Sequence, residues 1–197
     1  MPDFISFLVE HKQILLTLHF LGIALGLGGA TATDILFFNF LKDFTITRKE
    51  ADVMRVLSNL IVGGLVLLFL SGVLLFFTDI PRYHASAPFI AKMILVMIIT
   101  FNGMLLHKYI APHMVHLSFK KVFQKKELHH KRKIAFALGA TSFTSWYFVF
   151  FLSMLKRMLP ESATSLGILS VYGVILVIAI FVSSQIEKQI VSKAQRT

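Results

Sequence analysis

Residues 13–41 read QILLTLHFLGIALGLGGATATDILFFNFL, and His19 and Asp34 are the only ionisable side chains among them. A run of about 20 apolar residues crosses the hydrocarbon core of a bilayer as a helix. This one crosses with residues to spare. Inside lipid its backbone polar groups must be satisfied within the segment, which selects a helix. A chain that contains such a run folds around it in a membrane. An imidazole inside a spanning helix is costly unless it has a partner or a task, so what His19 faces becomes the central question.

Composition agrees with that reading. The 197 residues are 56% hydrophobic and 15% charged, with a mean hydropathy of +0.75, whereas soluble domains carry about 25% charged residues. The length suits a single integral membrane domain over residues 1–197. There is no cysteine, which excludes disulfides, thiolate metal sites and cysteine nucleophiles. The opening MPDFISFLVEHK carries Asp3 and Glu10 ahead of its first Lys, and no small-residue cleavage site follows. That is unlike a signal peptide, so the first helix is expected to be retained.

Apolar runs recur at about 13–41, 56–80, 88–111, 134–158 and 164–186, predicting an all-α bundle of five transmembrane helices. Segment 42–55 reads as a polar connection, 81–87 as a short one opening with a Pro, and 112–133 as the longest and most basic. The formal charge of +10 fits this topology better than nucleic-acid binding, because the bases lie between the apolar runs. One side collects Lys42, Arg48, Lys49, Arg55, the cluster from Lys120 to Lys133, Lys188, Lys193 and Arg196; the other holds Lys12, Arg82, Lys156 and Arg157. The richer side is expected to be cytoplasmic, with the N-terminus outside and the C-terminus inside a cytoplasmic membrane. Residues 115–127 have apolar positions at helical spacing against a basic face, the pattern of a short helix on an anionic leaflet. An ordinary solvated loop remains the alternative.

Several residues are candidates for chemistry. Gly22, Gly26 and Ala30 form a small-residue stripe that lets another helix approach closely. Gly63, Gly64 and Gly72 invite the same reading. A nucleotide-binding glycine loop would need a preceding strand and a βαβ unit, and neither is present. His19 is about 10 Å below the outer end of its span, level with Lys92 near the start of the third span and with Tyr172, about 12 Å into the fifth. His19 is therefore a candidate metal or cofactor ligand, with Lys92 and Tyr172 beside the same space. The bland alternatives are a histidine bonded to a hydroxyl or carbonyl, and a lysine that snorkels. His107 is about 22 Å deeper than Lys92, so His19 and His107 cannot clamp one haem between them. Asp34 and His107 share the inner level, either as a proton-linked pair or as two unrelated interfacial groups. His113 and His116, with His129 and His130, add imidazoles near many bases, but no carboxylate or thiolate pattern accompanies them as a metal site would need. Trp146 and Tyr147, mid-span, either wall a planar cofactor or pack the core.

At these residues the chain resembles a family. LHFLGIAL around His19 resembles the first helix of the HemJ-type membrane protoporphyrinogen oxidases and, more distantly, the CopD-like copper-resistance membrane proteins. RVLSNLIVGGLVLLFLSGVLLFF from Arg55, FIAKMILVMIITFNG around Lys92 and LPESATSLGILSV before the last helix follow in the family's order. His19, Arg55 and Lys92 match motif positions. Two departures stand out: Gly103 occupies the place of a family histidine on the third helix, and KRKIAFALGA replaces an Arg-x-x-Asn-Glu signature. The resemblance implies a five-helix protein binding haem b or a porphyrin and passing electrons to a membrane acceptor. His19 would be the axial ligand, Lys92 the partner of a propionate, and Arg55, at the other depth, the partner of a phospholipid or carboxylate. Two further readings stay open: a non-enzymatic transporter or sensor with proton-linked behaviour at His19, Asp34 or His107, and a small scaffold subunit that holds partners through the glycine stripe and basic loop. Homo-oligomerisation is compatible with each.

Overall fold

Each of the five apolar runs forms a helix long and apolar enough to cross a bilayer. The computed structural model describes residues 2–41, 46–111, 126–155, 158–160, 162–194 and 196. In chain order the helices are α1 (Pro2–Glu10), α2 (Lys12–Phe40), α3 (Arg48–Phe77), α4 (Ile80–His84), α5 (Ala87–Leu105), α6 (Lys126–Leu155) and α7 (Ser165–Ala194). A π-helical turn, Leu106–Ile110, continues α5. No strand occurs among the described residues.

Local chemistry explains where the helices begin. Thr47 caps α3: the Glu50 N–H donates to Thr47 Oγ1 (3.3 Å), and the Thr47 N–H donates to Glu50 Oε2 (2.7 Å). This reciprocal box satisfies donors that a helix start otherwise leaves orphaned. Residues 48–55, expected to belong to a polar connection, are therefore helical. Asp79 caps α4, and Pro lies in the first turn of both α4 and α5, where its missing N–H costs nothing. The expected short connection at 81–87 thus contains most of a one-turn helix. His11 breaks α1 from α2, and its ring bonds back to the Phe7 carbonyl at 2.9 Å.

The long helices alternate in direction. Leu41, Ile46, Ala51, Phe136 and Ala194 form one cluster where α2 ends, α3 and α6 begin and α7 ends. Leu8, Leu15 and Leu75 form another at the opposite end. Among the described residues Arg48, Lys49, Arg55, Lys131, Lys133, Lys188 and Lys193 gather toward the first of these, the basic end. The middle of the bundle is filled by Ala30, Leu68, Ile99 and Trp146. Alongside, α5, α6 and α7 pack around Ala91, Leu95, Leu152, Ile168 and Tyr172.

The α2–α3 seam is set by glycine. A Cβ on Gly22 would lie 2.8 Å from the Leu68 nitrogen, and one on Gly64 would lie 2.7 Å from the Gly26 nitrogen. No side chain fits there, so the two backbones touch. A Cβ on Gly26 would run into the Trp146 ring, which fills that notch from α6. The stripe is consumed inside the chain. Gly28 and Gly63, by contrast, face open space.

The outer surface is apolar. Phe69, Met97, Phe101, Leu166, Val177 and Phe181 are each more than half exposed; Leu166 reaches 74%. An open groove of about 590 Å³ between α2 and α6 is lined by Phe20, Ala24, Leu27, Gly28, Tyr147 and Phe150 among others. Such continuous apolar cover exceeds what a monomeric soluble protein presents to water. The protein is a multi-pass membrane protein with lipid against these faces.

Candidate functional site

His19 faces α3, not the open groove. Its Nδ1 is 3.0 Å from Ser71 Oγ, and the ring lies beside Gly72, where a Cβ would come within 3.4 Å of Cε1. The Ser71 hydroxyl donates to the carbonyl of Leu67 at 2.6 Å. Its single hydrogen being committed there, Ser71 accepts from His19, which puts the imidazole proton on Nδ1 and the lone pair on Nε2. A metal-bound histidine is oriented in this way, one nitrogen held by a hydrogen bond while the other ligates. Lys92 lies near the start of α5, at the end of the bundle where α2 begins.

Tyr172 shares that level but not the contact. It packs with Ala91 and Leu95, on either side of Lys92 in the sequence of α5. Its hydroxyl is 2.8 Å from Ser145 Oγ, whose own hydrogen goes to the Thr141 carbonyl at 2.6 Å. Tyr172 therefore donates to Ser145 and ties α7 to α6. Trp146 packs against α2. Tyr147 donates to Thr31, 3.0 Å away, whose hydrogen goes to the Leu27 carbonyl. The aromatic residues considered as cofactor walls are occupied in helix packing.

The inner-level pair does not form. His107, on the π turn, has its Nδ1 3.3 Å from Ser58 Oγ of α3, and no bond joins it to Asp34. Asp34 Oδ2 is buried with no hydrogen-bond partner among the described residues. Arg55 is exposed and pairs with Asp52 at 3.2 Å, away from His19. His113, His116, Lys156 and Arg157 lie outside the described residues, as does the 115–127 segment up to the start of α6 at Lys126. Among the described residues no group of three or more metal-ligating side chains occurs.

Two buried groups escape a reading of the sequence. Arg132 Nε and Glu187 Oε1 are 2.5 Å apart, with side chains 4% and 3% exposed, joining α6 to α7. Both sit where helices run past the apolar stretches, so their charges look like solvated ends. The signal available was that Glu187, the one acid in α7, has Ile186, Ile190 and Val191 about it. Asn102 is 4% exposed; its Nδ2 donates to the Leu138 carbonyl at 3.1 Å, and its Oδ1 has no partner.

No family model matches the chain, and neither curated proteins nor solved structures provide a match.

Proposed function

We propose that the chain is a membrane redox protein that binds haem b or a porphyrin at His19, a divergent relative of the membrane protoporphyrinogen oxidases. The observation that carries this reading is the His19–Ser71 bond, which holds the ring by Nδ1 and leaves Nε2 as the nitrogen with the lone pair. Lys92, near the start of α5 at the same end of the bundle, is the partner for an anionic propionate. The donor set fits one axial ligand and one carboxylate partner. The closed Gly22–Gly64 approach excludes a macrocycle from the α2–α3 seam, so His19 and Lys92 would have to hold it outside that seam. Tyr172 would act only indirectly, by packing against Ala91 and Leu95 on either side of Lys92. Bound haem would supply one-electron chemistry tuned by its axial ligand, hydrogen bonding and burial; the chain's own part is to hold, orient and desolvate it. The proposed setting is the cytoplasmic membrane, with the basic end inward and a membrane acceptor taking the electrons.

Expression with added haem, followed by an absorption spectrum of the purified protein, tests the proposal. A Soret band is expected in the wild type, lost in His19→Ala and weakened in Ser71→Ala and Lys92→Gln. A colourless wild type, or His19→Ala with unchanged haem content, overturns it.

A further inference from the structure

Several buried polar groups among the described residues meet in donor–acceptor pairs, and two do not. His19, Tyr147 and Tyr172 each donate to a hydroxyl of a neighbouring helix, and Arg132 donates to Glu187. Asp34 Oδ2 and Asn102 Oδ1 are buried acceptors to which no described residue donates. The Asn102 amide is fixed the way round it is, because Nδ2 faces a carbonyl and only the nitrogen can donate to one.

The two orphans stand at the same level. α2 and α5 run in the same direction, and Ala30 of α2 and Ile99 of α5 belong to one core cluster with Trp146. Asp34 follows Ala30 by four residues and Asn102 follows Ile99 by three, one helical turn in each case. Both therefore lie one turn from that cluster toward the basic end.

Two acceptors with no donor in a low-dielectric interior call for a hydrogen. We propose that Asp34 is a protonation site inside the membrane span, its carboxyl proton shared with Asn102 Oδ1 directly or through one water. The proton joins the carboxylate to give a neutral carboxylic acid, with no other bond made or broken. One proton removes the buried charge and converts one of the two acceptors into a donor. A hard metal cation suits the place less, since it takes six or more oxygens.

The titratable groups on the packed elements are otherwise engaged or remote. On α3 the titratable groups Arg48, Lys49, Glu50, Asp52 and Arg55 all lie in its first eight residues at the basic end, with Glu50 bonded to Thr47 and Asp52 paired with Arg55. On α6, Tyr147 is bonded to Thr31 and Arg132 to Glu187 of α7. His130, Lys131 and Lys133 lie at the basic start of α6. On α5 and its π turn, Lys92 belongs to the opposite end, His107 is bonded to Ser58, and His107 and Lys108 are exposed. The site is independent of the haem reading, because it uses neither His19 nor Lys92.

pH-difference infrared spectroscopy on the full chain in phosphatidylcholine nanodiscs tests the site. The wild type is expected to show a protonated-carboxyl stretching band that disappears as pH rises. The band should be absent from Asp34→Asn, shifted in Asn102→Leu and retained in Asp52→Asn, which alters an exposed carboxylate. Asp34→Glu keeps the carboxyl and moves the band, and it carries the test if Asp34→Asn does not fold. The proposal is overturned by a wild type with no such band, by a band that survives Asp34→Asn, or by one unmoved in both Asn102→Leu and Asp34→Glu. Displacement of the band by sodium in place of choline salts overturns it in favour of a cation site.

Discussion

The α2–α3 seam and the α5–α6–α7 side of the bundle are held together by opposite means. Along the seam, backbone meets backbone at Gly22, Gly26 and Gly64. On the other side large side chains fill the space, and polar bonds cross it: Tyr172 to Ser145, Asn102 to the Leu138 carbonyl, Ser183 to the Phe136 carbonyl at 2.8 Å, and Arg132 to Glu187. Lipid tails are as apolar as leucine, so helices in a bilayer gain little from hiding apolar surface from one another. What remains is dispersion at short range or polar bonding. This chain relies on the first between α2 and α3, with the His19–Ser71 bond added at one end of the seam, and on the second among α5, α6 and α7. The seam should therefore be sensitive to volume, and the other side to chemistry.

The largest break of that contrast is expected at the buried ion pair. Glu187→Ala strands the Arg132 guanidinium and should cost about 3–5 kcal/mol, read by thermal unfolding in lipid bicelles followed by circular dichroism. The double change Arg132→Met with Glu187→Leu should recover most of that loss, because it removes both charges together. A loss from Glu187→Ala below about 1 kcal/mol, the value of an exposed pair, would show that water reaches the site.

Next comes the seam. Gly64→Ala should cost about 1–3 kcal/mol through overpacking, whereas Gly63→Ala, one residue away and facing open space, should be neutral or slightly stabilising. Equal effects of the two substitutions in the same assay would mean that the helices do not approach as closely as described. The smallest expected effect is at the hydroxyls. Tyr172→Phe removes one buried hydrogen bond, worth about 1 kcal/mol. Tyr147→Phe should cost less, because Tyr147 is only half-buried at the edge of the open groove. If Tyr147→Phe proved the costlier, the α2–α6 contact would be polar in character and the contrast would be misdrawn.

The long helices could be read from the sequence because lipid imposes one rule on every residue of a span. The runs at 88–111 and 164–186 correspond to Ala87–Ile110 and to the first three-quarters or so of Ser165–Ala194. The small-residue stripe at Gly22, Gly26 and Ala30 was legible for a similar reason, as helical spacing puts the three on one face. Hydropathy failed at the edges, where helices continue on polar residues. The Thr47–Glu50 box starts α3 at Arg48, ahead of its apolar run, and the one-turn α4 was read as a connection. The same blind spot hid Arg132 and Glu187, since a base beside other bases and an acid near a helix end look solvated until the partner helix is known. For the candidate site, residue counting set His19 and Lys92 at one depth. It could not say that Ser71, 52 positions along the chain from His19, would take the imidazole proton. It also suggested His107 for Asp34, whereas side-chain direction delivers His107 to Ser58.

The hydroxyls that receive His19, Tyr147 and Tyr172 have a consequence for motion. Ser71, Thr31 and Ser145 each keep their hydrogen on their own helix. When two such helices slide or part, the accepting helix strands no donor; only the ring group must find a new partner. Each joint is a hook resting on a fixed peg, and the peg is unchanged when the hook lifts. Helices joined in this way can shift register by meeting another peg, whereas the Arg132–Glu187 pair cannot open without exposing two charges at once. Rearrangement in this bundle should therefore pivot at the basic end of α6 and α7 and spread toward the level of His19.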